Sequence, residues 1–301
     1  MAESQSDNMI GQDFCGIADL RRFQHNAMAT TFEVFVVHKN ALYAEQAAWA
    51  AFGEIDHIEN NLSRFIENSD VSRINSLVPR NPLQIGLDAF ECLQISIEMS
   101  EQTNGAFDIT FGSSHRGSNL LKVNESDHTI ELETDGIKID LGAIGKGYAV
   151  DRIGKVLRDW SINTTLISGG QSSILPIGTP AGLPGWPVTL SDPSDYSKVL
   201  VKMYLADESL GASGLRKGEH IVNPRTGKPA KGKLGAWATA KTAAMADALS
   251  TAFMVMPIDK VRTYCGNHSD TSAFIVLPAK KKGAANRIVT FGNPDKFISR
   301  I

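Results

Sequence analysis

The sequence predicts an α+β fold built as one domain, and three observations carry that expectation. Strand-like and helix-like segments follow one another in mixed order, which favours antiparallel pairs over a doubly wound parallel sheet. No linker rich in Gly, Ser or Pro divides the 301 residues cleanly. Hydrophobic residues make up 42% and charged residues 21%, the balance of a folded protein with ample material for a core.

Residues 1–22 read as a polar N-terminal extension and 23–301 as the domain. Thr30 to Val37 is rich in β-branched and aromatic residues and predicts a strand. From Leu42 to Leu62 apolar residues recur at three or four, with Trp49, Phe52, Ile55, Ile58 and Leu62 on one stripe, so a helix follows. A second helix is expected over Leu87 to Glu101. Ile137 to Leu141 reads as a short strand, Gly142 to Gly147 as a glycine-rich turn, and Val150, Ile153, Leu157 and Trp160 mark the helix after it. Downstream, Thr164 to Ile174, Trp186 to Leu190, Lys198 to Leu205, Ala236 to Lys241 and Ala273 to Leu277 predict strands, and Ala244 to Met256 a helix. Thr179 to Pro187 reads as a long hairpin loop between two of those strands.

A net charge of -3 gives no reason to expect nucleic acid or anionic lipid as a partner, and Lys280, Lys281 and Lys282 read as a solvated loop. There is no run of 18 apolar residues and no fixed-period repeat, which excludes membrane spans and solenoids. Cys15, Cys92 and Cys265 are too few and too widely spaced for a disulfide framework or a zinc pattern. With a polar, acidic start that lacks a signal-peptide pattern, they point to the reducing cytoplasm.

Four segments could carry chemistry. Asp140-Leu-Gly-Ala-Ile-Gly-Lys146-Gly147 lies between the predicted strand and helix. Its glycines let backbone N–H groups approach an anion, the helix start adds a partial positive field and Lys146 a full charge, so phosphate is the natural guest. The spacing fits neither the P-loop nor the dinucleotide fingerprint. On the helix over Ala244 to Met256, Asp247 and Thr251 are one turn apart and turned from the stripe of Met245, Leu249, Phe253 and Met256. Ala244 and Ala248 beside them leave room for close approach, and a carboxylate with a hydroxyl supplies hard oxygen donors of the kind Mg²⁺ accepts beside phosphate. In His220-Ile-Val-Asn-Pro-Arg225-Thr-Gly227 the imidazole can serve as acid or base and the Arg can pair with phosphate, although a lone His beside a turn is also commonly structural. In Gly105-Ala-Phe-Asp108-Ile-Thr110 an acid follows an aromatic after a helix.

Together with Met28-Ala-Thr-Thr31, Ser63-Arg-Phe65, Ser69-Asp-Val-Ser-Arg-Ile-Asn75, Ser168-Gly-Gly170, Ala212-Ser-Gly214 and Ala246-Asp-Ala-Leu-Ser-Thr251, these segments occur in the order seen in the FAD:protein FMN transferases, the ApbE family, which the chain resembles from about Met28 to Pro257. The resemblance implies a single T-fold-like α+β domain with mixed, largely antiparallel sheets and surrounding helices. It implies FAD in a cleft with Mg²⁺ at the pyrophosphate, the metal held by the carbonyl of Ala143 and the side chains of Asp247 and Thr251. Met28, Phe65, Ala106, Phe107, Asp108, Asp140, Lys146, His220 and Ile221 would line the FAD site. The implied reaction passes FMN to a Ser or Thr hydroxyl of an acceptor flavoprotein and releases AMP. His220 is the first candidate for the base, with Asp108 and Asp247 as alternatives.

The chain departs from the family pattern at Ala29, where a Gly is common, at Asn223 and Gln171, where an Asp is common, and at Phe111-Gly-Ser-Ser-His, where Pro-Leu is expected. Two further readings therefore stand beside the transferase: an FAD pyrophosphatase giving FMN and AMP, and a diverged FAD-binding protein without catalysis. Asp207-Glu-Ser-Leu-Gly-Ala-Ser213 loosely resembles the acceptor motif of such enzymes, but Leu210 stands where a hydroxyl residue is needed, which argues against self-modification.

Overall fold

A computed structural model describes residues 10–12, 14–170, 172–215, 218, 220–281 and 283–297. Residues 1–9, Asp13, Gln171 and Lys282 therefore lie outside the described residues. The first part of the chain forms β1 (Ile10–Gln12), β2 (Leu20–Ala27), β3 (Thr30–Val37), α1 (Ala41–Leu62), α2 (Asp70–Asn75), β4 (Leu83–Gln84), α3 (Leu87–Gln102), β5 (Leu121–Asn124), β6 (Thr129–Leu132) and α4 (Gly145–Asp159). There follow β7 (Thr165–Gly169), β8 (Ser173–Ile177), β9 (Trp186–Asp192), β10 (Asp195–Leu205), β11 (Ser209–Gly214), β12 (Val222–Asn223), β13 (Lys228–Pro229), β14 (Gly235–Ala240), α5 (Ala243–Val255), α6 (Ile258–Asn267), β15 (Ala273–Leu277) and β16 (Arg287–Phe291). Among the described residues no helix is long and apolar enough to cross a membrane.

The centre is an eight-stranded sheet in the order β16-β15-β14-β11-β8-β7-β3-β2, antiparallel throughout. Its residues alternate between two cores, as the pleat requires. Phe32, Val34 and Val36 of β3 join the helices in one core, while Phe35 turns to the other, which holds Trp186, Leu190 and Met203 of the small β1-β9-β10 sheet. In β14 the alternation also sorts by size. Ala236, Ala238 and Ala240 face the helices and Trp237 faces the small sheet, so the helix side is left nearly flat where α5 lies on it.

The sequence places β3, α1, α3, α5 and β15 within one or two residues of where they fall, whereas α4 starts at Gly145, inside the stretch read as a glycine-rich turn, and α+β with antiparallel sheets is the observed class. Asn40 caps α1 by accepting from the Tyr43 N–H at 3.1 Å. Three expectations are corrected. Ile137 to Leu141 is not a strand: at its centre a side chain takes the place of a partner strand, with Ile139 N–H donating to Asn75 Oδ1 at 2.7 Å and Ile139 C=O accepting from Asn75 Nδ2 at 3.0 Å. Thr164 to Ile174 is a hairpin instead of one strand, because the chain reverses so that Gly169 pairs with Ser173. Thr179 to Pro187 is no hairpin loop: β8 and β9, on either side of it, belong to different sheets packed face to face. Residues 10–12, inside the stretch read as an extension, pair with β9.

Candidate functional site

Two helices meet at one point. Helix α4 starts at the glycine-rich turn with no side-chain cap, leaving its N-terminal N–H groups for other acceptors. Lys146 Nζ stands 3.5 Å from Asp247 Oδ2, and the Gly147 N–H donates to the same oxygen at 3.1 Å. The approach is set by the main chain. A Cβ added to Gly147 would lie 2.2 Å from the Ala243 carbonyl oxygen, and one added to Gly211 would lie 2.2 Å from that of Ala246. Helix α5 thus rests directly on α4 on one side and on β11 on the other, which requires glycine at both contacts.

The ends of α5 are also fixed. Asp151 of α4 accepts from the N–H groups of Ala243 and Ala244, each at 2.8 Å, so a negative group meets the positive end of the helix. At the other end buried Lys233 donates to the carbonyls of Phe253 and Met256 and, at 3.4 Å, to that of Met254. The expected apolar stripe on α5 is a poor description of a helix buried almost all round: Asp247 is only 2% exposed, and the small neighbours Ala244, Ala246 and Ala248 are buried too.

Around this junction lies a cavity of about 520 Å³, within the size range of ligand pockets. Ala106, Phe107, Asp108, Asp140, Ala143, Lys146, His220, Ile221, Asp247 and Thr251, drawn from residues more than 140 positions apart, all line it. Two expected residues do not. The Met28 methyl lies beside Gly145, and Phe65 is 84% exposed, its ring 4.7 Å from the Arg64 guanidinium. Arg64 itself lines the cavity and approaches Asp140 Oδ2 at 3.4 Å.

The polar groups are held before any ligand arrives. Asp108 Oδ1 accepts from the N–H and hydroxyl of Thr110 at 2.8 and 2.7 Å. Asp140 Oδ1 accepts from the Gly142 N–H at 2.9 Å, closing the turn. His220 is exposed, and its Nδ1 pairs with the Gly218 carbonyl at 3.0 Å; since a carbonyl only accepts, Nδ1 carries the hydrogen and Nε2 is the free acceptor of the neutral ring. Burial pushes the Asp247 carboxyl above the usual carboxylate range, against the opposing pull of Lys146 and the Gly147 N–H. Burial likewise raises Asp151 to about 6.

Sequence reasoning missed Tyr196, Ser213 and the role of Asp151. Tyr196 reaches the cavity from β10, which belongs to the other sheet and lies well beyond α4 in the chain, and carried no local signal. Ser213 stood in a short Ser-Gly segment without an assigned role, and Asp151 looked like any polar residue on a helix.

Comparison with known proteins is consistent along the chain. The model of the ApbE family matches residues 28–120 and 113–275. The FAD:protein FMN transferase of Buchnera aphidicola subsp. Schizaphis graminum is 24% identical over 69% of this chain and 72% of its own length. That of Escherichia coli K12 is 23% identical over 69% and 70%. Among solved structures, the ApbE protein of Thermotoga maritima superposes with a TM-score of 0.77 at 24% identity, covering 89% of this chain and 96% of that one. The flavin transferase ApbE from Vibrio cholerae gives 0.81 at 17% identity, covering 93% and 99%.

Proposed function

Because the chain belongs to the ApbE family, we propose that it transfers the FMN part of FAD to a Ser or Thr hydroxyl of an acceptor flavoprotein and releases AMP. The relatives named as FAD:protein FMN transferases support this reading, and the observation that carries it is the meeting of Lys146 with Asp247 inside a cavity lined by ten of the predicted residues. A pyrophosphatase or a flavin store has no comparable support.

The donor set fits a magnesium ion. Asp247, Thr251 and the Ala143 carbonyl offer only oxygens, and a buried carboxylate with a raised pKa gains from a cation beside it. One protein carboxylate is a usual number for Mg²⁺ at a site where substrate phosphates and water complete the shell. Bound there, the ion would neutralise charge building on the diphosphate.

The chain's own residues supply position and charge. Lys146, lining the cavity, supplies a full positive charge that favours the diphosphate. Phe107, Ala106 and Ile221 give the cavity an apolar wall for an aromatic ring. The acceptor oxygen bonds to the FMN-side phosphorus while the bridging P–O bond breaks, and AMP leaves with the bridging oxygen. The hydroxyl proton passes to His220 Nε2, for which the imidazole orientation is suited. We assign the chemistry to 23–301, and place the protein in the cytoplasm on the support of Cys15, Cys92 and Cys265, among which no disulfide forms in the described residues.

Mass spectrometry of a candidate flavoprotein co-expressed with this chain tests the proposal. FMN on a Ser or Thr, absent when Asp247→Asn replaces the parent, is the expected result. AMP and free FMN released from FAD and Mg²⁺ without any acceptor would instead favour the pyrophosphatase.

A further inference from the structure

A chain of hydroxyls runs from the cavity wall into the protein beside the proposed metal donors. Ser213 Oγ of β11 is 3.0 Å from Thr251 Oγ1 and 2.8 Å from Ser250 Oγ, and Ser250 Oγ donates to the Asp247 carbonyl at 2.8 Å. Ser213 and Thr251 line the cavity, whereas Ser250 is fully buried behind them.

The far end of the chain sets its direction. A hydroxyl has one hydrogen to give, and a carbonyl can only accept. Ser250 gives its hydrogen to the Asp247 carbonyl, so toward Ser213 it accepts. Ser213 then donates to Ser250 and, toward Thr251, accepts in turn. The Thr251 hydrogen is drawn into the protein, and the Thr251 oxygen faces the cavity with lone pairs only.

From this geometry we propose that Ser213 and Ser250 are positioning residues that fix the Thr251 hydroxyl as an acceptor for a divalent cation. The proposal rests on the reading of Asp247 and Thr251 as metal donors and names what orients one of them. Without Ser213, the Thr251 hydroxyl is free to turn its hydrogen toward the cavity, where it opposes a cation. Partners that orient metal ligands typically contribute 10- to 100-fold to metal affinity.

The test is calorimetric titration with MgCl₂ in the presence of FAD and no acceptor, alongside FAD affinity measured without Mg²⁺. Ser213→Ala and Ser250→Ala are each expected to weaken Mg²⁺ binding by about 10- to 100-fold, and for Ser250→Ala, which lies behind the cavity wall, Mg²⁺-free FAD affinity stays within about twofold. Because Ser213 acts through Thr251, the Ser213→Ala/Thr251→Ala double variant should bind Mg²⁺ no more weakly than Thr251→Ala alone. Parent-like Mg²⁺ affinity in Ser213→Ala, or effects that add in the double variant, would overturn the proposal. If Ser213→Ala does not fold, Ser250→Ala carries the same test one link further from the cavity. Parent-like Mg²⁺ binding by Asp247→Asn counts against the metal site as a whole, which keeps the two failures apart.

Discussion

Asp151 ties α4 to the first turn of α5, and its burial makes folding depend on pH in a defined sense. Its carboxyl is raised from an ordinary 3.8 to about 6 by desolvation, which outweighs the two N–H groups it accepts. Below 3.8 the folded and unfolded chains both carry the proton. Between 3.8 and about 6 only the folded chain does, so stability attributable to this group falls as pH rises, and above about 6 the loss is complete. At about 1.4 kcal/mol per pH unit, the interval from 3.8 to about 6 amounts to about 3 kcal/mol. Asp151→Asn has no proton to lose, so its urea stability between pH 3.5 and 7 should lack this component. It also turns an amide NH₂ toward one of the two α5 N–H groups, adding a penalty of about 1–3 kcal/mol that does not vary with pH. The stability of parent minus variant should therefore fall by about 3 kcal/mol as pH rises, so that the two curves meet or cross. Parallel curves across that range would refute the assignment.

Other expectations follow from the same geometry. Asp247→Asn should lower kcat for FMN transfer by about 10²- to 10³-fold, with a urea stability within about 1 kcal/mol of the parent because Lys146 still reaches solvent; near-parent transfer would remove Asp247 from the site. Gly147→Ala should cost about 3 kcal/mol or more, since its Cβ meets the Ala243 backbone, and a thermal melt with FAD titration reads both the destabilisation and the weaker binding. Asn75→Ala removes both hydrogen bonds to Ile139 and should cost about 2 kcal/mol while weakening FAD binding; unchanged FAD affinity would show that the glycine turn holds itself.

Much of this was legible in the sequence where the signal is local. The β-branched run of β3, the period of α1 and the glycine turn before α4 each announce themselves within ten or twenty residues. Asp247 and Thr251 stood out because alanines, instead of lysines and glutamates, surround them. What stayed hidden depends on distant partners. Ile137 to Leu141 has the alternation of a strand, but the group that pairs with it is the amide of Asn75, some sixty residues earlier. Strand β2 carries Arg21, Arg22, Gln24 and His25 because it is the outer strand of its sheet, and edge position cannot be read from one segment. Strand β11 is nearly all small residues, since a helix lies against it, and small residues carry no strand signal of their own.

The bare backbone contacts of α5 with its two neighbours mean that the junction of Lys146 with Asp247 cannot be loosened a little at a time. With Gly147 and Gly211 in van der Waals touch with helix main chain, no cushion of side chains exists to absorb a small shift, so the helix leaves its bed whole or stays. Amide hydrogens along α5 should exchange as slowly as any in the molecule. Exposed Phe65, by contrast, can be exchanged without disturbing either contact.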